Sequence, residues 1–185
     1  MIPMVRAAEP TFLTVKKKEW TDDYISNENK KFHWHAKHDE LLRELKSMTN
    51  HHCAFCDDVL YPKSGPSPEI EHFKPKNKYK ELAFDWANLY PICSHCNKTK
   101  NERFDDLLLR PDESGYQYSD WFRFNYITFE LEPIKLGNSN WMRAAMNVSI
   151  YGLNKPDKLT RRANVLAEIA DNRYSSKDFQ PFRFL

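Results

Sequence analysis

Cys53, Cys56, Cys93 and Cys96 are the only cysteines of this 185-residue chain, in the spacing C-x2-C-x36-C-x2-C. A two-residue gap lets both thiolates of a knuckle reach one tetrahedral ion at about 2.3 Å, so the chemistry expected is a four-sulfur zinc site. Four thiolates leave no open position, which makes such a site structural and not catalytic. A redox pair is the alternative, but thioredoxin-like use needs one CxxC in a βαβ context, and none is visible. Two other groups with chemical potential lie close by. Glu71 and His72 set a carboxylate beside an imidazole in EIEHF, and Asn97 follows directly on Cys96. Taken singly, each has an ordinary reading: a surface pair at a strand end, and a helix N-cap using its side-chain oxygen.

These groups need elements to hold them. In EIEHF the alternation predicts a short strand with Ile70 and His72 on one face and Glu71 on the other or at its end. WANLYPIC then returns the chain to the second knuckle, and Cys96 and Asn97 can open a helix through NKTKNERF. The expected outline is strand, strand, helix, braced by zinc, over residues 51–110, with a turn-rich YPKSGPSPE between the knuckles. Residues 1–50 read as an extended, proline-containing segment followed by a helix, with Leu41, Leu42, Leu45 and Met48 on one stripe. In the C-terminal region, 111–185, the aromatic and β-branched residues of 116–131 predict a hairpin, and 140–151 and 155–172 predict helices, with Asn154 and Pro156 marking the start of the second. The fold class expected is α+β, a ββα module flanked by N-terminal and C-terminal helical elements.

Composition narrows the function classes without choosing one. With 41% hydrophobic, 14% aromatic and 29% charged residues the chain is a folded globular protein with a solvated surface. A net charge of +2 does not by itself indicate nucleic acid. Its distribution says more: from His72 to Arg103, six lysines and one arginine face only Glu81, Asp85 and Glu102. That excess is either a solvated lysine-rich loop or a phosphate-facing surface. The N-terminus lacks the apolar run of a signal peptide, and no stretch approaches the ~18–20 apolar residues of a membrane span, which predicts a cytoplasmic protein. In a reducing compartment paired cysteines serve as metal ligands rather than disulfides. The four glycines form no Walker A loop, so any response to ATP has to come from outside the chain.

In order, Glu71-His72, then Asn88 in ANLYPIC, then Cys96-Asn97 followed by KTK resemble the HNH nuclease motif of the His-Me finger superfamily. The wider EHFKPKNKYKELAFDWANLYPICSHCNKTK, together with SIYGLNKPDKLTRR, is similar to the PtuB-like HNH nucleases that accompany an ATPase in Septu-type and some retron-type anti-phage systems. The resemblance implies a phosphodiester hydrolase acting on nucleic acid, DNA ahead of RNA, with an ABC/SMC-type ATPase as partner. It implies His72 as general base, suited to neutral pH by an ordinary pKa near ~6.5, and Asn88 holding that ring through its amide oxygen. Glu71 and Asn97 would be oxygen ligands for Mg²⁺ or Mn²⁺, with structural Zn²⁺ on the four cysteines. Lys74, Lys76, Lys98 and Lys100 are the nucleic-acid contacts expected. Two positions depart from the common pattern: Glu71 stands where Asp is frequent, and Asn97 where His is frequent.

The C-terminal hairpin and helices are the docking surface that the resemblance suggests, with Trp121 or Phe122 as anchors if exposed. Arg161 and Arg162 read as a solvated helix face or as contacts to nucleic acid or a partner. His33, His35 and His38 read as surface or packing residues. His51, His52 and His95 are redundant as zinc ligands beside four thiolates, left to tune the site or touch phosphate. A non-catalytic zinc-bearing module that grips nucleic acid or an ATPase is the competing reading, although a pure binder has no need of Glu71, His72 and Asn97 together.

Overall fold

The computed structural model describes residues 1–26, 37–61, 66–135, 140–178 and 180–185. His33, His35 and part of the turn-rich stretch between the knuckles lie outside the described residues. At the centre, strand β1 (Pro68–His72) pairs antiparallel with β2 (Leu89–Cys93), with Glu71 opposite Tyr90 and His72 opposite Leu89. Helix α3, numbered here after two N-terminal helices, spans Ser94–Lys100 and starts as β2 ends. The Cys93 sulfur accepts from the Cys96 N–H at 3.4 Å, so one side chain closes the strand and caps the helix. Pro91 is tolerated in β2 because a two-stranded sheet leaves an edge, and its carbonyl accepts from the Ala54 N–H at 2.9 Å, tying the first knuckle to the sheet.

Two apolar clusters flank this unit. One gathers Leu13, Trp20 and Tyr24 of α1 (Thr11–Ser26) and Leu41 and Leu45 of α2 (His38–Met48) around Phe84, Trp86 and Leu89. The leucine stripe thus buries as its spacing predicts. The first helix, α1, is an addition to the extended lead-in expected from sequence; it starts just after Pro10, whose carbonyl accepts from the Leu13 and Thr14 N–H groups. The other cluster joins Met1 and Met4, the four cysteines, Phe55, Tyr90 and Ile92 to Leu131, Ile150, Tyr151 and Leu153. Its members come from both ends and the middle of the chain.

The C-terminal elements are short helix α4 (Tyr118–Trp121), a hairpin of β3 (Phe122–Phe124) and β4 (Leu131–Pro133), then α5 (Asn140–Ile150) and α6 (Pro156–Ala170). The hairpin begins later than its aromatic content suggested, because Asn125 sets the turn by accepting from the N–H groups of Ile127 and Thr128 at 2.9 and 3.0 Å. Pro156 opens α6, whereas Asn154 is spent on the Leu131 N–H and carbonyl, at 2.9 and 3.0 Å. Gly152, at φ +59°, lets the turn between α5 and α6 approach α3: a Cβ there would lie 2.8 Å from the Thr99 methyl. Among the described residues no helix is long and apolar enough to cross a membrane.

Candidate active site

The four sulfurs all lie within 4.8 Å of one another and are buried. Sulfurs bound at about 2.3 Å to a tetrahedral ion sit about 3.8 Å apart, and Cys56 and Cys93 are separated by 3.7 Å. The donor set therefore fits a tetrahedral thiolate site. The first knuckle turns at Asp57 (φ +63°), a conformation that Asp tolerates better than most residues. The Asp57 carboxylate is clamped by Arg183, whose Nη2 lies 2.5 Å away. From α6, the Lys158 ammonium comes within 4.0 Å of the Cys93 sulfur. Sequence reasoning missed both supports. His52 is buried with its ring nitrogens at the carbonyls of Asn50 and Gln180, His51 stacks on Tyr61, and exposed His95 lies 3.4 Å from Asp157. None of the three joins the sulfur cluster. His38 is half-buried beside Asp39 at the start of α2.

On the same supports, Glu71, His72 and Asn97 border one open cleft of about 410 Å³ between β1, α3 and the turn after β1. Glu69, Lys76 and Lys98 border it too. The His72 ring places Nε2 2.9 Å from the Ala83 carbonyl. A carbonyl only accepts, so the hydrogen resides on Nε2 and the lone pair of the neutral ring on Nδ1. Burial, reinforced by Lys76, lowers the imidazole to about 3, well under the ordinary value expected from sequence. The ring is accordingly neutral throughout the physiological range.

Asn88 does not touch that ring through the bonds its amide makes. Its Oδ1 accepts from the Lys74 N–H at 2.8 Å, and its Nδ2 donates to the carbonyls of Lys74 and Leu82 at 3.0 and 3.1 Å. These bonds let Asn88 act one step back, fixing Leu82 next to the Ala83 carbonyl that orients His72. Physically, a buried amide satisfies the backbone groups nearest to it, and here those belong to the two loops flanking the ring.

Glu71 is buried and pairs with the Lys100 ammonium. The ammonium meets Glu71 Oε1, a charge-assisted contact inside the protein. Burial pushes the carboxyl up to about 7 against the pull of Lys100. Lys100 is fully buried and also donates to the His72 carbonyl at 3.1 Å. It cannot reach nucleic acid, and the surface role expected for it is withdrawn in favour of an internal brace between α3 and β1. Lys74 sits apart from the cleft, its ammonium over the rings of Tyr79 and Phe104 at 5.2 and 5.5 Å, beside a second cleft of about 580 Å³ that Asn88 also borders. Asn97 donates through Nδ2 to Glu69. Glu69 escaped the sequence reading, although period-two alternation places it on the same strand face as Glu71.

Two C-terminal expectations change as well. Phe122 is buried, and Trp121 is partly covered with Arg143 over its ring at 5.2 Å. Arg162 is wholly buried, donating to the carbonyls of Leu153 and Phe129 at 2.7 and 3.0 Å, so it is an internal anchor and not a solvated face. Arg161 lies 3.7 Å from Asp58.

Comparison with known proteins places this geometry. Residues 53–103 match the family model of the HNH endonuclease. The chain is similar to the Septu protein PtuB of Bacillus thuringiensis, 33% identical over 100 residues that make up 54% of this chain and 37% of that protein. It is also similar to the Septu protein PtuB of Bacillus mycoides (strain KBAB4), 29% identical over 210 aligned residues covering 91% of this chain and 68% of the relative. The chain thus spans little more than a third of the first relative and about two thirds of the second. The strand, strand, helix unit that brings Glu71, His72 and Asn97 to one cleft thus lies within residues that match the HNH endonuclease model, in a chain that resembles PtuB.

Proposed function

We propose that this chain is a metal-dependent endonuclease that hydrolyses DNA as the nuclease of a Septu-type anti-phage system, acting with an ABC/SMC-type ATPase in the cytoplasm. The observation that carries the reading is the convergence of Glu71, His72 and Asn97 on a single cleft. Zinc on Cys53, Cys56, Cys93 and Cys96 would hold β2 and α3 in place. Glu71 and Asn97 offer hard oxygen donors suited to Mg²⁺ or Mn²⁺, and both border the same cleft. When bound, such a cation would stabilise the charge that develops on the phosphate and the leaving oxygen.

The chain's own residues do the rest. Lys76 and Lys98, at the cleft margin, hold the phosphodiester, and its negative charge raises the basicity of the His72 ring above its value in the free protein. Ala83 retains the Nε2 hydrogen, leaving Nδ1 to take the proton of an attacking water. A P–O bond forms to that water as the bond to the 3′ oxygen breaks. The leaving oxygen takes a proton from solvent water, and the products are a 5′-phosphate and a 3′-hydroxyl.

Incubating supercoiled plasmid with the chain in Mg²⁺ or Mn²⁺, with EDTA as control, tests the proposal. Nicked or linear product that requires the cation is the expected result. Retarded DNA without cleavage in either ion, with or without the ATPase, would support a binding module instead.

A further inference from the structure

Asn97 and Glu69 occupy facing positions on α3 and β1, and their chemistry allows only one arrangement. A carboxamide has an accepting end, Oδ1, and a donating end, Nδ2, while an ionised carboxylate only accepts. Against Glu69, the amide therefore has to present Nδ2, as it does, and Oδ1 is turned away from the carboxylate. Released from that contact, the amide could rotate and offer its N–H groups where an oxygen is required, and N–H groups repel a cation.

Glu69 owes its place to the fold. The register of β1 sets it opposite Ile92 and two residues before Glu71, on the same face. Asn97 lies in the first turn of α3, directly after the last cysteine, and Lys100 follows three residues later on the same helix face. The helix thus presents Asn97 and Lys100 to the strand, which answers with Glu69 and Glu71.

Resting on the metal-dependent reading above, we infer that Glu69 is a positioning residue. It fixes the Asn97 amide so that Oδ1 is offered to the divalent cation, and it is not itself a ligand. What Glu69 must supply is a partner that only accepts, a restriction that Glu69→Gln loosens and Glu69→Ala removes.

The test uses the full chain with its zinc. Mn²⁺ binding is measured by isothermal titration calorimetry for wild type, Glu69→Ala, Glu69→Gln, Asn97→Ala and the Glu69→Ala/Asn97→Ala double variant, with thermal unfolding recorded alongside. Glu69→Ala is expected to weaken Mn²⁺ binding by about 10–100-fold, the usual effect of losing a group that orients a ligand. Glu69→Gln, whose amide can also donate, should fall between wild type and Glu69→Ala, and Glu69→Ala should add little once Asn97 is already gone. If Glu69→Ala fails to fold, Glu69→Gln still decides. Wild-type Mn²⁺ binding in Glu69→Gln or in Glu69→Ala, or additive losses in the double variant, would each overturn the inference. Asn97→Ala that binds Mn²⁺ as wild type does would instead sink the metal-ligand reading, and the inference with it.

Discussion

Cys96 and Asn97 are neighbours in sequence, yet one faces the sulfur cluster and the other the cleft, because one residue of helix rotates a side chain by about 100°. The two sites share α3 and differ in what surrounds their donors. Four sulfurs converge on one another in a buried pocket, a closed set suited to one ion and to nothing else. Across the helix, the groups that border the open cleft differ in kind: Glu71 is a buried carboxyl paired with Lys100, and His72 is a neutral ring with its hydrogen committed to Ala83. The closed set is suited to structure; the open one, an incomplete ligand set, leaves room for a substrate.

Breaking the closed set should have the largest effect. Cys93→Ser, or chelation of zinc, removes a ligand, the cap of α3 and the end of β2 together. Binding of structural zinc is worth about 10–16 kcal/mol in small zinc modules, so the central region should unfold or aggregate, and Mg²⁺ should not restore it. Circular dichroism with zinc quantification checks this; wild-type stability and zinc content in Cys93→Ser would contradict it.

A smaller effect is expected where the two sites meet the loops. Asn88→Ala leaves the Lys74 N–H and carbonyl without their partner, while the Leu82 carbonyl keeps the Asp85 N–H at 3.2 Å. Each such group costs about 1–3 kcal/mol when buried and unsatisfied, and relaxation around this partly open position should hold the total near the low end of the sum. Urea unfolding should therefore show a clear loss of stability with zinc retained, and cleavage should fall because Ala83 no longer fixes the His72 ring.

The comparison sharpens further with pH. The His72 ring is depressed in the folded state, so its contribution to stability is lost as pH falls from about 6.5 toward 3. Glu71 is raised, so its contribution is lost as pH climbs from about 4.5 to 7. Between about 4.5 and 6.5 the two oppose each other. Removing the ring in His72→Ala leaves the Glu71 slope alone, and the stability of wild type relative to the variant should rise with pH across this window. One fully coupled proton gives at most about 1.4 kcal/mol per pH unit. Denaturant titrations at several pH values read it out; parallel pH profiles for the two proteins would refute it.

What could be read from sequence followed spacing. The cysteine interval, the leucine stripe of α2 and the order of Glu71, Asn88 and Asn97 all encode geometry along one element or motif. Misreadings arose where residue type was taken as a guide to exposure. Lys100 and Arg162 were counted as surface charge, but each lies on a buried helix face: Lys100 three residues after Asn97, and Arg162 with Lys158 and Val165 on one stripe of α6. A buried cation needs a partner distant in sequence, and the carboxylate of Glu71, the carbonyl of Leu153 and the sulfur cluster become visible only once the chain is folded. The same holds for Asn88, whose donors and acceptor were legible while the backbone groups they meet were not. Helix α1 stayed hidden because Leu13, Trp20 and Tyr24 are sparse among charged residues.

The central claim is that the incomplete cluster performs hydrolysis and the closed one only supports it. Plasmid cleavage by His72→Ala, run with zinc content and DNA retention on the same preparation, tests it most directly. Loss of a general base lowers the rate by about 10²–10⁴-fold, and zinc content, folding and DNA retention should remain as in wild type. Cleavage by His72→Ala at the wild-type rate would contradict the account.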